Sequence, residues 1–457
     1  MEVEEKNSKK IKEEECEKID FNNNNFKINE CNNTFNGNSN NIECCNKNMQ
    51  NNFNSNNQLC INNFNIFNNM NILENYKSIK QEFPIHQPIG LSNMGATDYM
   101  NSSLQCLCNI EKLVNYFKYN KKIEDYIQSK GDSTLTHSFK YLIEKLWQLP
   151  NNKYILQNYN EKNINNKYFS PYDFKKKIAR MDPLFEGVLA NDPKDLVNFI
   201  IMKLHEELNE IKKNPDLSNN CQEINRTNHD MVLQYFLQNF DQKNKSIISD
   251  LFYGISVDST QCSKCKQIKY YFQSDFFLIF PLEKIRKFKI QKLINSINQN
   301  IKDMNPLPFQ QNKLNNIQSI YEKTEFFTGE NAIYCNRCLG PFDSYYTTKL
   351  YYGPEILIII LNREREIEFK VKLEFTERVN LSQYFQMKNF SNIYNLIGVI
   401  THFGKSRSSD HFIASAKSPI DGIWYIYDDA IVSKVDNFKK QIVDYGSPYI
   451  LFYQKEK

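Results

Sequence analysis

Two C-x-x-C pairs, far apart in the chain, constrain its fold more than any other feature. Cys262 and Cys265 form the pair in "CSKC", and Cys335 and Cys338 form the pair in "CNRC", with 69 residues between the pairs. A C-x-x-C turn directs two thiolates toward one zinc ion, and two such turns complete a four-sulfur structural site without an open coordination position. Four free thiols and a redox pair are the alternatives. We therefore expect two hairpins to meet around one structural zinc ion.

The cysteine content favours a reducing compartment. The chain has 457 residues and 12 cysteines, and its charged beginning, MEVEEKNSKKIKEEECEK, lacks the apolar core of a secretory signal. Cysteines in a chain without such a signal are more often reduced thiols or metal ligands than disulfides. The longest strongly apolar run, Ile356 to Leu361, is too short to span a bilayer. The sequence predicts an intracellular protein, cytoplasmic or nuclear, without a membrane partner.

The charge balance argues against a nucleic-acid partner. The chain carries 57 basic and 53 acidic residues, which gives a formal net charge of +4. Binding to nucleic acid would need a clustered excess of basic residues, and no such excess is present in the composition. We predict a monomer that does not bind nucleic acid.

Composition divides the chain near residue 82. Residues 1–82 contain asparagine tracts such as FNNNNFKINECNNTFNGNSNN. Asparagine side chains compete for backbone hydrogen bonds, so these tracts disfavour helices and strands and are expected to be disordered. A self-associating interaction arm and low-complexity drift both explain such a segment, and drift is the simpler explanation. Residues 83–457 have periodic patterns and are predicted to form the folded domain.

Within that domain, helical patterns come first and strand patterns follow. Residues 100–147 and 192–211 have apolar residues three and four positions apart, as expected for amphipathic helices. From Ile247 onward, short aromatic and β-branched runs such as PEILIIILNRE and IWYIYDD are broken by turn residues. This order favours an α+β fold, in which a helical lobe packs beside an antiparallel sheet.

The segment GLSNMGATDYMNSSLQ, residues 90–105, resembles the cysteine box of the ubiquitin-specific proteases, a family of papain-like deubiquitinases. Twelve of its residues fit that box, but Asp98 occupies the place of the nucleophilic cysteine. Further family segments follow in order, including NDPKDLVNFIIMKLHEEL, both cysteine pairs and YNLIGVITHFGKSRSSDHFIASAK, so that the resemblance covers residues 88–453. It implies a papain-like fold with a helical thumb, a β-sheet palm and zinc-bearing β fingers at about 247–345.

The resemblance also implies a role for several residues near this box. His411 falls at the general-base position, Asp428 at the position that orients the base, and Asp429 at that of an auxiliary acid. Asn93 falls where the family places its oxyanion-hole side chain.

The same resemblance implies contacts with ubiquitin, whose tail would lie in a cleft between thumb and palm. Asp192 and Asp195 fall at acidic positions that would meet the arginines of this tail. Asp410 replaces the glycine that normally precedes the general base, and Phe412 replaces the usual tyrosine. We expect Asp410 to crowd or charge the mouth of the cleft.

Asp98 is a poor substitute for a catalytic thiolate. A carboxylate is a much weaker nucleophile toward an amide carbonyl, and losing the nucleophile of a triad costs on the order of 10⁶ in rate. Cys106 and Cys108 lie further along the predicted helix, roughly 12 to 15 Å away at a rise of about 1.5 Å per residue. The sequence therefore predicts a catalytically inactive protein that binds ubiquitin or ubiquitin conjugates. An active deubiquitinase and a fold that has also lost ubiquitin binding are the alternatives.

Overall fold

The structure is a computed structural model in which a large part of the folded domain is described. The segment predicted to be disordered, residues 1–82, lies outside the described part, and so does Asp410. The described residues are 88–147, 168–211, 225–282, 324–363, 375–387, 391–404 and 411–456.

The described helices precede most of the strands, as the sequence predicts. Side-chain oxygens of Asn120, Thr134, Asp192 and Asn228 accept backbone N–H groups at the start of four of these helices, which satisfies donors that have no partner within the helix. No helix in the described part of the chain is long and apolar enough to cross a membrane. The helices are α1 (Asp98–Leu107), α2 (Glu111–Tyr119), α3 (Lys121–Lys130), α4 (Leu135–Leu146), α5 (Tyr172–Met181), α6 (Pro193–Leu208), α7 (His229–Asp241) and α8 (Ile247–Phe252).

The strands form one large sheet, a second sheet and two short pairs. β1 and β2 pair in parallel, and β7 and β8 form a hairpin. The strands are β1 (Gly90–Leu91), β2 (Tyr168–Phe169), β3 (Gly254–Cys262), β4 (Ile268–Asp275), β5 (Phe277–Pro281), β6 (Glu325–Phe327), β7 (Ile333–Cys335), β8 (Gly340–Phe342), β9 (Ser344–Tyr352), β10 (Ile356–Asn362), β11 (Arg378–Asn380), β12 (Ile393–Phe403), β13 (His411–Lys417), β14 (Trp424–Asp428), β15 (Ile431–Lys434) and β16 (Ser447–Lys455). With the helices, they confirm the α+β prediction.

The large sheet is mostly antiparallel and holds the centre of the fold. Its strand order is β15-β14-β13-β12-β16-β10-β5, β11 pairs with β12, and β10 pairs in parallel with β5. The apolar run of β10 is buried on both faces, which explains why it does not alternate with polar residues. Ile356, Ile358 and Ile360 face the core shared with the helices. The residues between them pack into a second core on the opposite face.

The second sheet carries the cysteine pairs. Its strand order is β4-β3-β9-β6, and the β7–β8 hairpin precedes β9 in the chain. Cys262 ends β3, and Cys335 ends β7, so each C-x-x-C pair lies at the tip of a hairpin. The sheet occupies residues 254–275 and 325–352, whereas the predicted finger segment of about 247–345 begins in α8 and ends within β9.

Helix α1 is buried along its whole length. All ten of its residues are buried, including Asp98, Asn101 and Gln105. The Gln105 Nε2 group donates to the carbonyl of Ile89 at 2.8 Å, so β1 and the end of α1 are tied together. The burial places the N-terminus of α1 directly against the start of β13.

The approach of β1 to the turn after β14 requires a glycine. A Cβ atom at Gly90 would lie 2.5 Å from the carbonyl oxygen of Ala430, a contact with backbone that cannot move easily. The neighbouring N–H of Leu91 donates to the carbonyl of Asp429 at 2.8 Å. This close approach fixes Asp429 relative to the N-terminus of α1.

We expect Gly90→Ala to destabilise the folded domain by about 2 to 3 kcal/mol, because the added methyl group must displace backbone. Gly340→Ala is the matched control, since its nearest neighbour would be the Phe342 ring at 3.5 Å. Its cost should stay below about 1 kcal/mol. Urea denaturation measures both variants, and equal destabilisation would contradict the steric argument.

Candidate functional site

Asp98 is a buried carboxylate that accepts two hydrogen bonds. It is the first residue of α1 and is 4% exposed. Its Oδ2 atom accepts the backbone N–H of Phe412 at 2.9 Å and lies 3.1 Å from Nδ1 of His411. Burial raises the pKa of Asp98, but the bonds from His411 and Phe412 and the imidazolium charge outweigh it, so the pKa lies below its ordinary 3.8. Asp98 is therefore ionised at neutral pH.

His411 lies between two carboxylates. Its Nδ1 atom faces Asp98, and its Nε2 atom lies 2.8 Å from Oδ1 of Asp428. The hydrogen bond to Asp98 raises the pKa of His411 to about 9, with a further contribution from Asp428 and against the opposing effect of burial. Both ring nitrogens therefore donate at neutral pH, and the three side chains form a carboxylate–imidazolium–carboxylate group.

Asp429 is held by amides rather than by the imidazole. Its Oδ2 atom accepts Nδ2 of Asn93 at 2.9 Å, and its Oδ1 atom accepts Nδ2 of Asn101 at 2.7 Å. Its backbone adopts a φ of 52°, in the left-handed region that non-glycine residues rarely occupy. The two hydrogen bonds from the asparagine side chains compensate for this strain. Asp429 stays beside Asp428 and His411, and the side-chain oxygen and nitrogen atoms of the three residues lie within 4.8 Å of one another.

Asn93 shapes the turn that precedes α1. Its Oδ1 atom accepts the N–H groups of Gly95 at 3.0 Å and Thr97 at 3.2 Å. Gly95 and Ala96 have φ values of 99° and 44°, so the chain makes a tight left-handed turn here. Asn93, which the resemblance assigns to the oxyanion hole, thus stabilises the turn with its side-chain oxygen. Its side-chain NH₂ group donates to Asp429.

The two acidic residues on the next helix have different surroundings. Asp192 caps α6 by accepting the N–H of Lys194 at 2.8 Å, and the Tyr449 hydroxyl donates to its other oxygen at 2.5 Å. The Tyr449 ring packs edge-on against Phe412, with centroids 5.3 Å apart, which connects Asp192 to the strand that holds Asp98. Asp195 is more exposed and lies 3.9 Å from Nζ of Lys194.

Three contacts in this region have no counterpart in the sequence predictions. They are the Asn101 amide on Asp429, the Phe412 N–H on Asp98 and the Tyr449 hydroxyl on Asp192. Asn101 lies one helical turn after Asp98 and therefore on the same face of the helix. This spacing was the signal in the sequence for the first contact. The other two contacts join residues more than 250 positions apart, for which periodicity gives no signal.

The four cysteines of the two C-x-x-C pairs converge as predicted. Their sulfur atoms lie within 4.8 Å of one another, and the Cys265 and Cys335 sulfur atoms are 3.6 Å apart. Tetrahedral zinc with Zn–S bonds of about 2.3 Å would separate its sulfur ligands by about 3.8 Å. The residue after each pair has a left-handed backbone, with φ of 59° at Lys266 and 56° at Leu339. The two turns thus have the same shape, and their four thiol groups fit a zinc ion.

Purified protein should contain about one zinc ion per chain, because four converging thiolates bind this metal tightly. Elemental analysis measures the stoichiometry. Cys335→Ser should reduce the zinc content and lower the melting temperature, whereas Cys60→Ser, in the asparagine-rich segment, should change neither. A folded wild-type sample with far less than one zinc ion would contradict the assignment.

The fold and the site together define a class of protein. A side chain at a helix N-terminus faces an imidazole, and a side-chain oxygen lies behind the ring, as in hydrolases of the papain type. In this chain the side chain at the helix N-terminus is a carboxylate, Asp98, rather than a thiol.

Comparison with known proteins identifies the family. The family described as "Ubiquitin carboxyl-terminal hydrolase" matches residues 89–453. The chain is 25% identical over 373 residues to ubiquitin carboxyl-terminal hydrolase 2 of Bos taurus, covering 80% of this chain and 54% of that protein. It is 29% identical over 245 residues to ubiquitin carboxyl-terminal hydrolase 15 of Xenopus tropicalis, covering 51% and 22%. The chain belongs to the ubiquitin carboxyl-terminal hydrolase family and spans about half the length of the first of these relatives.

Solved structures have the same fold. The SAGA DUB module of Ubp8, Sgf11, Sus1 and Sgf73 bound to monoubiquitin matches with a TM-score of 0.55 at 18% identity, covering 81% of this chain and 69% of that chain. The Ubp8 module bound to ubiquitin aldehyde matches with a TM-score of 0.52 at 18% identity, covering 81% and 70%. The predicted papain-like fold with thumb, palm and fingers is confirmed, and the four-cysteine cluster is compatible with zinc in the fingers.

Histidine NMR should give a pKa of about 9 for His411, because both ring nitrogens face carboxylates. His205 is the internal reference, since burial lowers its pKa below the ordinary 6.5. Asp98→Asn should lower the pKa of His411 but keep it above that ordinary value, since Asp428 remains. A His411 pKa near 6.5 in the wild type would contradict the three-membered ion group.

The same shifts give the stability of the domain a pH dependence. The raised pKa of His411 contributes stability that is complete below its ordinary 6.5 and is lost as pH rises through about 9. The lowered pKa of Asp98 contributes stability that is complete above its ordinary 3.8 and is lost on further acidification. Denaturation curves should therefore separate wild type from Asp98→Asn most at about pH 5 to 6 and less at about pH 9.5.

Proposed function

We propose that this chain is a catalytically inactive family member that binds ubiquitin or ubiquitin conjugates. One observation carries the proposal: Oδ2 of Asp98, at the position of the family's nucleophilic cysteine, accepts both His411 Nδ1–H and the N–H of Phe412. The roles of His411 as former base, Asp428 as its orienting acid and Asp429 as auxiliary acid belong to this proposal.

The chemistry of the ion group supports inactivity. An ionised carboxylate attacks an amide carbonyl weakly, and the tetrahedral adduct would expel the carboxylate more readily than the amine, so it would return to the starting amide instead of forming a mixed anhydride. The Asp98 oxygen that faces the imidazole already accepts two hydrogen bonds, which lowers its nucleophilicity further. An imidazolium at His411 has no free lone pair with which to activate water. Neither direct attack nor assisted attack by water is therefore available at neutral pH.

The two thiols that follow Asp98 along and just after α1 do not supply the missing nucleophile. Cys106 and Cys108, on and just after α1, are 2% and 0% exposed. Burial raises the pKa of both thiols far above the ordinary value, so they stay protonated and face the core. Both are core residues in this proposal.

Ubiquitin binding is supported by the family and by the acidic residues along the cleft. The SAGA DUB module with this fold is bound to monoubiquitin. Asp195 presents a partly exposed carboxylate on α6, and Asp192 is positioned beside it by the Tyr449 hydroxyl. We assign these two residues to the arginines of the ubiquitin tail and Asp410 to the mouth of the cleft. A folded domain at 83–457, a monomeric state and an intracellular location, cytoplasmic or nuclear, complete the proposal.

Hydrolysis and binding should be measured on the same preparations. With a fluorogenic ubiquitin C-terminal amide, wild-type turnover should equal that of Asp98→Ala, while titration calorimetry detects ubiquitin binding. Asp98→Cys should raise turnover at least about 100-fold, since nucleophile loss costs on the order of 10⁶. Adding His411→Ala to Asp98→Cys should abolish that gain.

Two results would change this proposal. Wild-type turnover that disappears in Asp98→Ala would favour the alternative, an active deubiquitinase that uses Asp98 to assist water. An inactive Asp98→Cys variant that still binds ubiquitin would show that a second feature blocks catalysis. A variant that combines Asp98→Cys with Asp410→Gly tests whether the residue before His411 is the feature that blocks catalysis.

A further inference from the structure

The candidate site carries more negative than positive charge. Asp98, Asp428 and Asp429 contribute three carboxylates, and His411 contributes one cation. Within the described ranges, no lysine or arginine forms an ion pair with any of these three carboxylates. The four side chains therefore have a formal charge of −2 at neutral pH. The positive charge of His411 is shared between Asp98 and Asp428, and little of it remains for a further anion.

The charge is least screened at Asp98. The side chain of Asp98 is 6% exposed, whereas those of His411 and Asp428 are 38% and 43% exposed. Interactions with a buried charge are screened by salt and water much less than those at a surface. An anion that enters from the open side of the imidazole would thus meet Asp98 in a poorly solvated environment.

We propose that Asp98 makes this cleft select ubiquitin joined through an amide or isopeptide bond over free ubiquitin. The inference rests on the proposed ubiquitin binding. A side chain at the nucleophile position must approach the carbonyl carbon that the family attacks, at about 3 to 3.5 Å. In free ubiquitin this carbon belongs to a carboxylate, which Asp98 repels. In a conjugate it belongs to a neutral amide, which adds no charge and offers an N–H donor.

The hydrogen bonds of Asp98 leave room for such a donor. Both bonds from β13, from His411 and from the N–H of Phe412, go to Oδ2. A carboxylate has about four acceptor positions on its two oxygens, so an amide N–H can be accepted without breaking the ion group. A carboxylate ligand offers only acceptors, and Asp98 cannot donate to them. The charge of Asp98 and its hydrogen-bonding capacity therefore both favour conjugated ubiquitin over free ubiquitin.

The test is a set of calorimetric titrations with free ubiquitin and ubiquitin amidated at its C-terminus. Wild type should bind the amidated form about tenfold more tightly, a difference equal to about 1.4 kcal/mol. Asp98→Asn, which keeps the side-chain shape, and Asp98→Ala should each bind both forms equally. The affinities of the two forms should become equal because the Asp98 variants bind free ubiquitin more tightly than wild type does.

Asp132→Asn is the matched control, because it removes one negative charge at a side chain that is 86% exposed and belongs to a different ion pair. This variant should keep the wild-type ratio between the affinities for amidated and free ubiquitin. Equal binding of both ligands by wild type would overturn the inference and leave ubiquitin binding intact. A ratio that persists in both Asp98 variants would also overturn it. Failure of wild type to bind either ligand would overturn both the proposed function and this inference.

Discussion

The complete burial of α1 is the constraint on which the rest of the structure depends. The polar side chains of a helix with no exposed face have to find their hydrogen-bond partners inside the protein. Gln105 therefore bonds to Ile89, the residue before β1, Asn101 bonds to Asp429, and Asp98 bonds to the first two residues of β13. These contacts join the helix to β13, to the turn after β14 and to the residue before β1. The geometry of the site is thus a consequence of packing.

The surroundings of the N-terminus of α1 also explain why a carboxylate is tolerated at position 98. A buried charge is costly unless it is paired and hydrogen-bonded. Asp98 lies at a helix N-terminus, beside an imidazolium, and accepts a backbone N–H. A site that stabilises a thiolate–imidazolium pair has the same requirements as one that stabilises a carboxylate–imidazolium pair. The surroundings of Asp98 are therefore those that an ion pair with an imidazolium requires, whichever acid occupies the position.

Much of this structure could be predicted from sequence because its signals are local. The apolar spacing from residue 100 onward predicted the helix that begins at Asp98 in the structure, the two C-x-x-C pairs predicted a metal site, and the apolar run at 356–361 predicted a strand. Long-range pairing gave no such signal. Periodicity shows which face of a strand is buried but does not show its neighbour, so the parallel pairing of β10 with β5 was not predictable. The bond between Tyr449 and Asp192 depends on that same strand order.

The position of β16 has a consequence for how the protein is made. This strand lies between β12 and β10, in the middle of the large sheet, although it follows both of them, and every other described strand, in the sequence. No sheet can close around that gap until residues 447–455 have left the ribosome. Until then β10 and β12 expose long edges, which are prone to aggregation. The helical lobe precedes the sheet in the chain, but α1 is buried and bonded to β13, so its packing is complete only after that strand has formed.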